Sequence, residues 1–373
     1  MWMLLCSGGK ADGGIRRITR RKMKVEGVNE SSWQHLARLC AWTPVALTLV
    51  LVGWSYYAFA ITVLLRNRDP VLLASILYHS ILLLWITAYV RVICTLPGFP
   101  RGARRDLPGS SGFGRNLVPP SELDLEAPPD FDTQDNVPLI QLQNQLQSHA
   151  THSAPDFVAL ETKRDGLPRY CNKCRTLKPD RSHHCSSCGV CVLRMDHHCI
   201  FINCCVGWRN HKYFFLFLFY TVVYCLGMFG YLVHYLLSAM QARSSEDIRL
   251  QLDFNWVILI FVSAAFGFVL LAFTGLHFFY ILTNKTTIES MERARRYRVD
   301  VVGDGEGLSD GRGATIESKW GVNIFDLGAR ENWKSVMGQD WRFWMLPIDT
   351  TGGDGHTFQV NYDALEKLRR MDV

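Results

Sequence analysis

Four long stretches of the chain lack Asp, Glu, Lys and Arg altogether, namely residues 42–64, 71–90, 213–237 and 256–282 of 373. At about 1.5 Å rise per residue, a helix of this length spans the roughly 30 Å hydrocarbon core of a bilayer. Buried helices of a soluble core are the alternative, but four uncharged runs of this length are difficult to house in one soluble domain. The absence of Asp, Glu, Lys and Arg also argues against a transporter, whose membrane segments usually carry such residues. The sequence therefore predicts an all-α polytopic membrane protein with four transmembrane helices.

The N-terminal segment lacks the features of a cleaved or lipidated leader. Its apolar residues 1–6 precede the basic cluster, which is the reverse of a signal peptide, and Trp2 stands where N-myristoylation requires glycine. Basic residues near spans stay on the cytosolic side of the membrane. Both termini are therefore expected in the cytosol, because the loop after the first span has only Arg66 and Arg68. The segment before that span carries a dense cluster: Arg16, Arg17, Arg20, Arg21, Lys22, Lys24 and Arg38.

Composition divides the chain into six parts. The segment after the second span is rich in Gly, Ser and Pro, so it is predicted to be a disordered cytosolic linker, although its run 140–146 could instead form a partner-binding helix. The tail regains aromatic residues, which should pack at the membrane interface or against the cysteine-rich domain. The parts are the basic N-terminus (1–41), the first two spans (42–90), the linker (91–168), the cysteine-rich domain (169–212), the last two spans (213–282) and the cytosolic tail (283–373).

The cysteine-rich domain contains one metal-ligand pattern, C-x2-C-x9-H-x6-C, twice at an offset of 14 residues. Three thiolates and one imidazole suit a tetrahedral structural zinc ion. Disulfides between these cysteines are disfavoured in the reducing cytosol. The sequence therefore predicts two structural zinc ions. The ligand sets are Cys171, Cys174, His184 and Cys191 for the first ion, and Cys185, Cys188, His198 and Cys205 for the second.

Cys199 occupies the first position of a third copy of this pattern. The remaining positions of that copy hold an isoleucine, a lysine and a phenylalanine, so no metal is available to this thiol. Asp196 and His197 precede it and are not needed by the zinc pattern. A free thiol, an imidazole and a carboxylate that orients the imidazole are the parts of covalent catalysis. The alternative is a purely structural zinc domain in which Cys199 is an unused thiol.

The run Asp196-His197-His198-Cys199, in a cysteine-rich domain between the second and third spans, resembles the signature of the DHHC protein S-acyltransferases, or palmitoyltransferases. Thr286-Thr287-Ile288-Glu289, directly after the fourth span, matches the T-T-x-E motif of that family. Asn323-Ile324-Phe325 and Asn332-Trp333 resemble its C-terminal motif. These motifs fall in the family's order relative to the four spans.

This resemblance implies a two-step acyl transfer. Cys199 would take the acyl group of a long-chain acyl-CoA, such as palmitoyl-CoA, and pass it to cysteine thiols of membrane-associated proteins, with no role for nucleic acid. His197 would be the general base for both thiols, Asp196 would orient it, and Thr287 would hydrogen-bond Asp196. From the residues alone, Thr286 with the glutamate three positions later equally fits a helix capping box.

The resemblance also implies contacts for acyl-CoA. Ser55 and Tyr224 would close the far end of an apolar slot and limit it to a palmitoyl-sized chain, unless they are ordinary helix-packing residues. The CoA phosphates require cations near Cys199. Candidates are Lys178, Arg181 and Arg194, which could equally be solvated positive-inside residues.

Two departures from the family pattern flank the nucleophile. Ile200-Phe201 stand where the family usually has Pro-Trp, and Cys204 stands where it tends to have asparagine, which makes Cys204 a substitute ligand or a site of acylation. The tail around residues 324–328 and 344–348 is closest to fungal vacuolar members, which implies the vacuole membrane, with Golgi or ER as alternatives. A membrane-anchored zinc scaffold or ubiquitin-ligase-like module remains the other reading, although it lacks the extra C-x2-C pair of a RING-type site.

Overall fold

The computed structural model describes residues 30–64, 71–101, 157–163, 167–241, 253–292, 294–301, 314–318 and 322–372. Its longest elements are four helices, each long and apolar enough to cross a membrane. They confirm the four predicted spans and the mainly helical fold. The helices are α1 (Glu30–Tyr56), which continues as a π-helical segment (Tyr57–Leu64), α2 (Val71–Cys94), α3 (His211–Gln241) and α4 (Phe254–Leu282).

The four helices pack through aromatic and small side chains. The rings of Tyr89 in α2 and Phe217 in α3 stack with their centroids 4.9 Å apart. Gly267 lets α4 approach α3 closely, because a Cβ atom there would lie 2.6 Å from Leu226 Cδ2. On the outside, apolar side chains such as Phe261 remain 71% exposed, as expected of a surface that faces lipid.

The helix α5 (Thr287–Met291) follows α4 after a short connection. Thr286 caps it, since its Oγ1 accepts a hydrogen bond from Glu289 N at 3.2 Å while Glu289 Oε2 accepts one from Thr286 N at 2.9 Å. The predicted capping box is therefore present. It leaves Thr287, the first residue of the helix, to point at a different partner.

Three consecutive β-hairpins form the cysteine-rich domain and repeat its 14-residue period. In each hairpin a cysteine lies opposite the residue five positions later: Cys171 opposite Thr176, Cys185 opposite Val190, and Cys199 opposite Cys204. The hairpins are β2 (Tyr170–Cys171) with β3 (Thr176–Leu177), β4 (His183–Cys185) with β5 (Val190–Val192), and β6 (His197–Cys199) with β7 (Cys204–Val206).

The turns of these hairpins repeat as well. Each has one residue with positive φ just before its second strand: Arg175 at 50°, Gly189 at 71° and Asn203 at 48°. Glycine and asparagine tolerate this left-handed conformation best. The third hairpin therefore keeps the backbone of the first two although it lacks their pair of cysteines three positions apart.

The last part of the predicted linker is ordered, so the prediction of disorder is wrong there. Residues 157–162 form β1 (Phe157–Thr162), which pairs with β8 (Arg295–Val301); β8 in turn pairs with β9 (Ala314–Ser318). The spans also differ slightly from prediction, since α2 continues to Cys94. The run 140–146, considered as a partner-binding helix, lies outside the described residues.

The tail after β9 packs against the membrane helices. It contains α6 (Ala329–Met337), a 3-10 turn (Trp341–Phe343) and α7 (Tyr362–Asp372). Trp333 lies edge-on to Phe215 of α3 and Phe278 of α4, at centroid distances of 5.5 and 5.4 Å. The tail therefore covers the end of the helix pair that lies next to the cysteine-rich domain.

Candidate active site and metal sites

Both predicted zinc ligand sets converge. In each set the four ligand atoms lie within 4.8 Å of one another. Cys174 Sγ is 3.2 Å from His184 Nδ1 in the first set, and Cys188 Sγ is 3.3 Å from His198 Nδ1 in the second. Ligand atoms around a tetrahedral zinc ion lie about 3.5 Å apart, given Zn–S near 2.3 Å and Zn–N near 2.0 Å. Both donor sets therefore fit zinc.

The ligand sets connect the hairpins in a chain. The first takes two cysteines from the first hairpin and His184 and Cys191 from the second, and the second set repeats this between the second and third hairpins. On β6 and β7, the opposed pair His198 and Cys205 faces the second set. Cys199 lies on the opposite face of the hairpin, because side chains alternate along a strand. That face would hold a third metal if the pattern continued.

Cys199 instead meets the membrane helices. It is 8% exposed and belongs to the apolar cluster formed mainly by the spans. Next to it, Ile200 and Phe201 are 55% and 47% exposed. Tyr89 of α2 donates a hydrogen bond to the carbonyl oxygen of Phe201 at 2.8 Å. The nucleophile candidate therefore lies at the boundary between the cysteine-rich domain and the apolar interior of the helix bundle.

Asp196 is completely buried and is shared by two partners. His197 Nδ1 donates to its Oδ2 at 2.6 Å, and Thr287 donates from its backbone N to Oδ1 at 2.8 Å and from Oγ1 to Oδ2 at 2.7 Å. Burial alone would raise the pKa of Asp196, but the hydrogen bond from His197 and the nearby imidazoles lower it well below its usual range. Asp196 therefore remains a carboxylate, and the contact expected between Thr287 and Asp196 is present.

His197 is held between Asp196 and Cys199. Burial lowers its pKa, but the hydrogen bonds to Asp196 and Cys199 outweigh this effect and raise the pKa to about 9. Because Nδ1 faces the carboxylate, Nε2 is the nitrogen left for the thiol. The imidazole is therefore charged at neutral pH, and Nε2 is the atom that can exchange a proton with a sulfur atom at this site.

Arg181 fixes α5 against the cysteine-rich domain. Its Nε donates to Glu289 Oε1 at 2.7 Å and its Nη2 to Oε2 at 2.9 Å, and the guanidinium also donates to Asn284. Arg181 is 1% exposed. The positive charges of Arg181 and Arg295 overcome the effect of burial and lower the pKa of Glu289 to about 2. This bidentate ion pair places α5, and with it Thr287, beside the carboxylate of Asp196.

The predictions that Arg181 and Arg194 bind CoA phosphates are wrong. The guanidinium of Arg181 donates its hydrogen bonds to Glu289 and Asn284. Arg194 is 3% exposed and donates from Nη2 to Asn284 Oδ1 at 2.9 Å. Buried guanidinium groups with these partners cannot reach a phosphate in solvent. Lys178, at the end of the first hairpin, is half-buried and stays a candidate.

Two residues of this site, Asn284 and His211, were not predicted from the sequence. Asn284 accepts a hydrogen bond from each of the two buried arginines, and His211 lies beside Asp196 together with His277. Atoms of Asp196, His211 and His277 lie within 4.8 Å of one another, and both imidazoles are buried. A histidine or asparagine at the end of a span has no distinctive spacing, so no pattern could single them out.

Ser55 and Tyr224 meet in the middle of the helix bundle. Their hydroxyl oxygens are 2.9 Å apart, and Tyr224 Oη is also 2.9 Å from Tyr78 Oη. All three side chains are buried, at 5%, 5% and 7% exposure. The predicted contact between α1 and α3 therefore exists, and α2 contributes a tyrosine that the sequence reading missed.

Comparison with known proteins identifies the family. Residues 165–294 match the family model of the DHHC palmitoyltransferases. The human palmitoyltransferase ZDHHC2 is 30% identical over 347 residues, which cover 91% of this chain and 82% of the relative. The chain belongs to the DHHC palmitoyltransferase family. The bovine palmitoyltransferase ZDHHC20 and human ZDHHC15 are each 30% identical over 332 residues, covering 87% of this chain and 78% and 83% of the relatives.

Membership of this family decides between the functions that the sequence left open. The chain is a protein S-palmitoyltransferase and an integral protein of endomembranes, so the reading as a zinc scaffold or ubiquitin-ligase-like module is set aside. The last three residues of the DHHC run form β6, Asp196 directly precedes that strand, and the two sets of Cys and His residues fit structural zinc.

Proposed function

We propose that Cys199 is the acylated nucleophile of this palmitoyltransferase. The observation that carries the proposal is its place in the third hairpin. Cys199 occupies the position that Cys171 and Cys185 use for zinc, but Ile202 stands where those two hairpins have their second cysteine, and neither predicted zinc set includes Cys199. A thiol freed from metal and bonded to a charged imidazole is the chemistry that thioester exchange requires.

The first step loads the enzyme. The Cys199 thiolate attacks the carbonyl carbon of a long-chain acyl-CoA, a bond forms from that carbon to Cys199 Sγ, and the bond to the CoA sulfur breaks. The leaving CoA sulfur takes the proton of the His197 imidazolium. Asp196, held by Thr287, keeps Nδ1 of His197 occupied, so that Nε2 stays directed at the exchanging sulfur atoms.

The second step repeats this exchange with a protein substrate. A cysteine thiol of a membrane-associated protein gives its proton to the now neutral His197 and attacks the thioester on Cys199. The acyl group moves to the substrate, the bond from the carbonyl carbon to Cys199 Sγ breaks, and His197 holds the proton that came from the substrate thiol. Each step replaces one thioester by another, so catalysis depends on positioning and on the thiolate.

The zinc ions would be structural. The two sets of three cysteines and one histidine would hold one zinc ion each, and zinc would supply folding free energy to a domain with few apolar residues of its own. Every thiol in both sets would be committed to metal. Cys199 is left as the reactive thiol beside them.

The acyl chain would extend from Cys199 into the helix bundle. It would run along the apolar cluster that contains Cys199, and the hydroxyl cluster of Ser55, Tyr78 and Tyr224 would close its far end. A bulky tyrosine facing a serine supports a palmitoyl-sized limit. Lys178 would contact the CoA phosphates at the cytosolic surface.

The active site would face the cytosol in the vacuole membrane. The basic N-terminal segment supports cytosolic termini, and the resemblance of the tail to fungal vacuolar members supports the vacuole, with Golgi or ER as alternatives. The chain would keep the six parts described from its sequence, except that the linker would end before residue 157, where β1 begins. Colocalisation of a fluorescent fusion with vacuole, Golgi and ER markers tests the location, and protease protection of terminal tags tests the orientation.

The test of the nucleophile uses a clickable palmitoyl-CoA analogue. The purified wild-type protein should be labelled through a hydroxylamine-sensitive bond, and Cys199→Ala should not be labelled. Cys94→Ala is the matched control, because this thiol is exposed at the end of α2 and would report uncatalysed acylation. Labelling of Cys199→Ala at the wild-type rate would refute the proposal.

A further inference from the structure

The third hairpin carries a second cysteine that neither zinc set requires. Cys204 lies directly opposite Cys199 in the β6–β7 ladder. Side chains that oppose each other in an antiparallel pair lie on the same face, with Cβ atoms about 4.5–5.5 Å apart. The adjacent pair, His198 and Cys205, lies on the other face and belongs to the second zinc set. Cys199 and Cys204 therefore share the face turned away from the metal.

Cys204 borders the apolar cluster to which the nucleophile belongs. Cys204 is half-buried and packs against the apolar cluster that contains Cys199. The equivalent residues of the first and second hairpins are Thr176 and Val190, which offer no thiol. Because the second zinc set is complete without Cys204, this thiol is free, and the expectation that it substitutes for a ligand is dropped.

We propose that Cys204 is a second acyl acceptor that takes the acyl group from Cys199 of the same chain. This inference rests on the proposed acylation of Cys199. The Cys204 thiol gives its proton to neutral His197, its sulfur bonds to the thioester carbonyl carbon, and the bond from that carbon to Cys199 Sγ breaks. Cys199 is released as a thiolate beside protonated His197, which is the state that accepts an acyl group from acyl-CoA.

The geometry makes this transfer easy. One thioester replaces another, so the energy change is small, and the two sulfur atoms are held by one hairpin, so no partner has to be brought from solution. His197 lies on the same face of β6 as Cys199, two positions before it, and serves the exchange as it serves the protein substrate. The consequence is that one chain can carry two acyl groups, one on Cys204 and one on the reloaded Cys199.

The experiment maps acyl groups on the purified full-length protein. The protein is incubated with palmitoyl-CoA under reducing conditions. It is then denatured in the presence of a maleimide, which caps free thiols and so prevents acyl groups from migrating. Cleavage after Arg194 and Arg209 yields one peptide that contains Cys199, Cys204 and Cys205. Fragment ions should place palmitoyl on both Cys199 and Cys204 of the wild type, and never on Cys205.

Two variants separate the relay from direct acylation. Cys204→Ser should carry one acyl group, on Cys199, and Cys199→Ser should leave Cys204 unacylated. Cys94→Ser is the control and should keep both modified sites. If Cys204→Ser loses zinc, Cys204→Asn, with the residue that the family tends to have, replaces it, and the wild-type map alone decides whether Cys204 is modified.

Each result has one meaning. Palmitoyl on Cys199 with free Cys204 in the wild type overturns this inference and leaves the proposed function intact. Acylation of Cys204 in Cys199→Ser at the wild-type rate overturns the relay. Absence of palmitoyl from both residues of the wild type overturns the proposed function itself.

Discussion

The second and third hairpins of the cysteine-rich domain have the same backbone and different chemistry. Their strands pair in the same register, 14 residues apart, and both turns use a residue with positive φ. Cys185 of the second hairpin has Cys188 three positions later and contributes to a zinc set. Cys199 of the third has Ile202 at that position and contributes to none. The replacement of one ligand position, Cys188 in the second hairpin, by Ile202 in the third thus leaves the Cys199 thiol without a metal on the same hairpin backbone.

The first residues of the two hairpins, His183 and His197, are both histidines but differ in pKa. Burial and the charge of Arg169 lower the pKa of His183 to about 4. His197 is half-buried like His183, but Asp196 precedes it and helps raise its pKa to about 9, whereas Ser182 precedes His183. The hairpin fixes where the imidazole lies. The carboxylate next to it decides whether that imidazole is charged.

The largest difference should appear between two single variants, Cys199→Ser and Cys185→Ser, in self-acylation and in zinc content. Cys199→Ser should abolish self-acylation and keep two zinc ions, whereas Cys185→Ser should lose at least one ion and unfold the domain, because zinc binding contributes folding free energy. Metal analysis and thermal unfolding of both variants measure this difference. A single zinc ion in Cys199→Ser would show that the ligand assignment is wrong.

The two histidines give the next largest contrast. His197→Ala should keep zinc and reduce the rate of self-acylation by about 100-fold or more, the usual contribution of a general base. His183→Ala should have a much smaller effect at saturating palmitoyl-CoA. The measurement is the single-turnover rate of both variants. Equal losses would mean that the carboxylate beside His197 has no special role.

Thr287→Val should cost less than the loss of the histidine. It removes the hydroxyl bond to Asp196 and keeps the backbone bond. A hydrogen bond to a charged group contributes about 1.5–3 kcal/mol. Because the backbone bond remains, we expect the low end of this range, which corresponds to a rate reduction of roughly 10-fold. Thr283→Val is the control, because that hydroxyl donates only to carbonyl oxygens of α4. An unchanged rate in Thr287→Val would remove Thr287 from the site.

The smallest effect concerns chain length. Tyr224→Ala should open the slot and favour stearoyl-CoA over palmitoyl-CoA by tens of fold at most, since each buried methylene contributes about 0.8 kcal/mol. Ser55→Phe should favour myristoyl-CoA, because it fills the same space. Competition among acyl-CoAs of different length measures the preference, with lipid-facing Phe261→Ala as control. If both variants stay active and keep the wild-type preference for acyl-chain length, Ser55 and Tyr224 are ordinary helix-packing residues.

The spans and metal sites could be predicted because each leaves a local signal. A run without charge identifies a membrane helix, and fixed spacing identifies ligands whatever surrounds them. The pairing of Phe157–Thr162 with Arg295–Val301 has no such signal, since two membrane helices separate its strands in sequence. A short strand in a Gly- and Pro-containing segment resembles disordered linker until its partner is known.

The arginines show the same limit within the site. Arg181 and Glu289 are 108 residues apart in the chain, and only the fold reveals that they pair. A basic residue near a membrane and near a nucleophile suggests phosphate binding from sequence, but its burial decides otherwise. Thr287 could be predicted only because a family motif marks it.

The claim that Cys199 is acylated while free of metal is tested most directly by native mass spectrometry of the purified protein after incubation with palmitoyl-CoA. The acylated wild-type chain should retain two zinc ions, and Cys199→Ser should retain two zinc ions without acylation. An acylated chain that has lost one zinc ion would show that the modified cysteine is a metal ligand and would contradict the assignment.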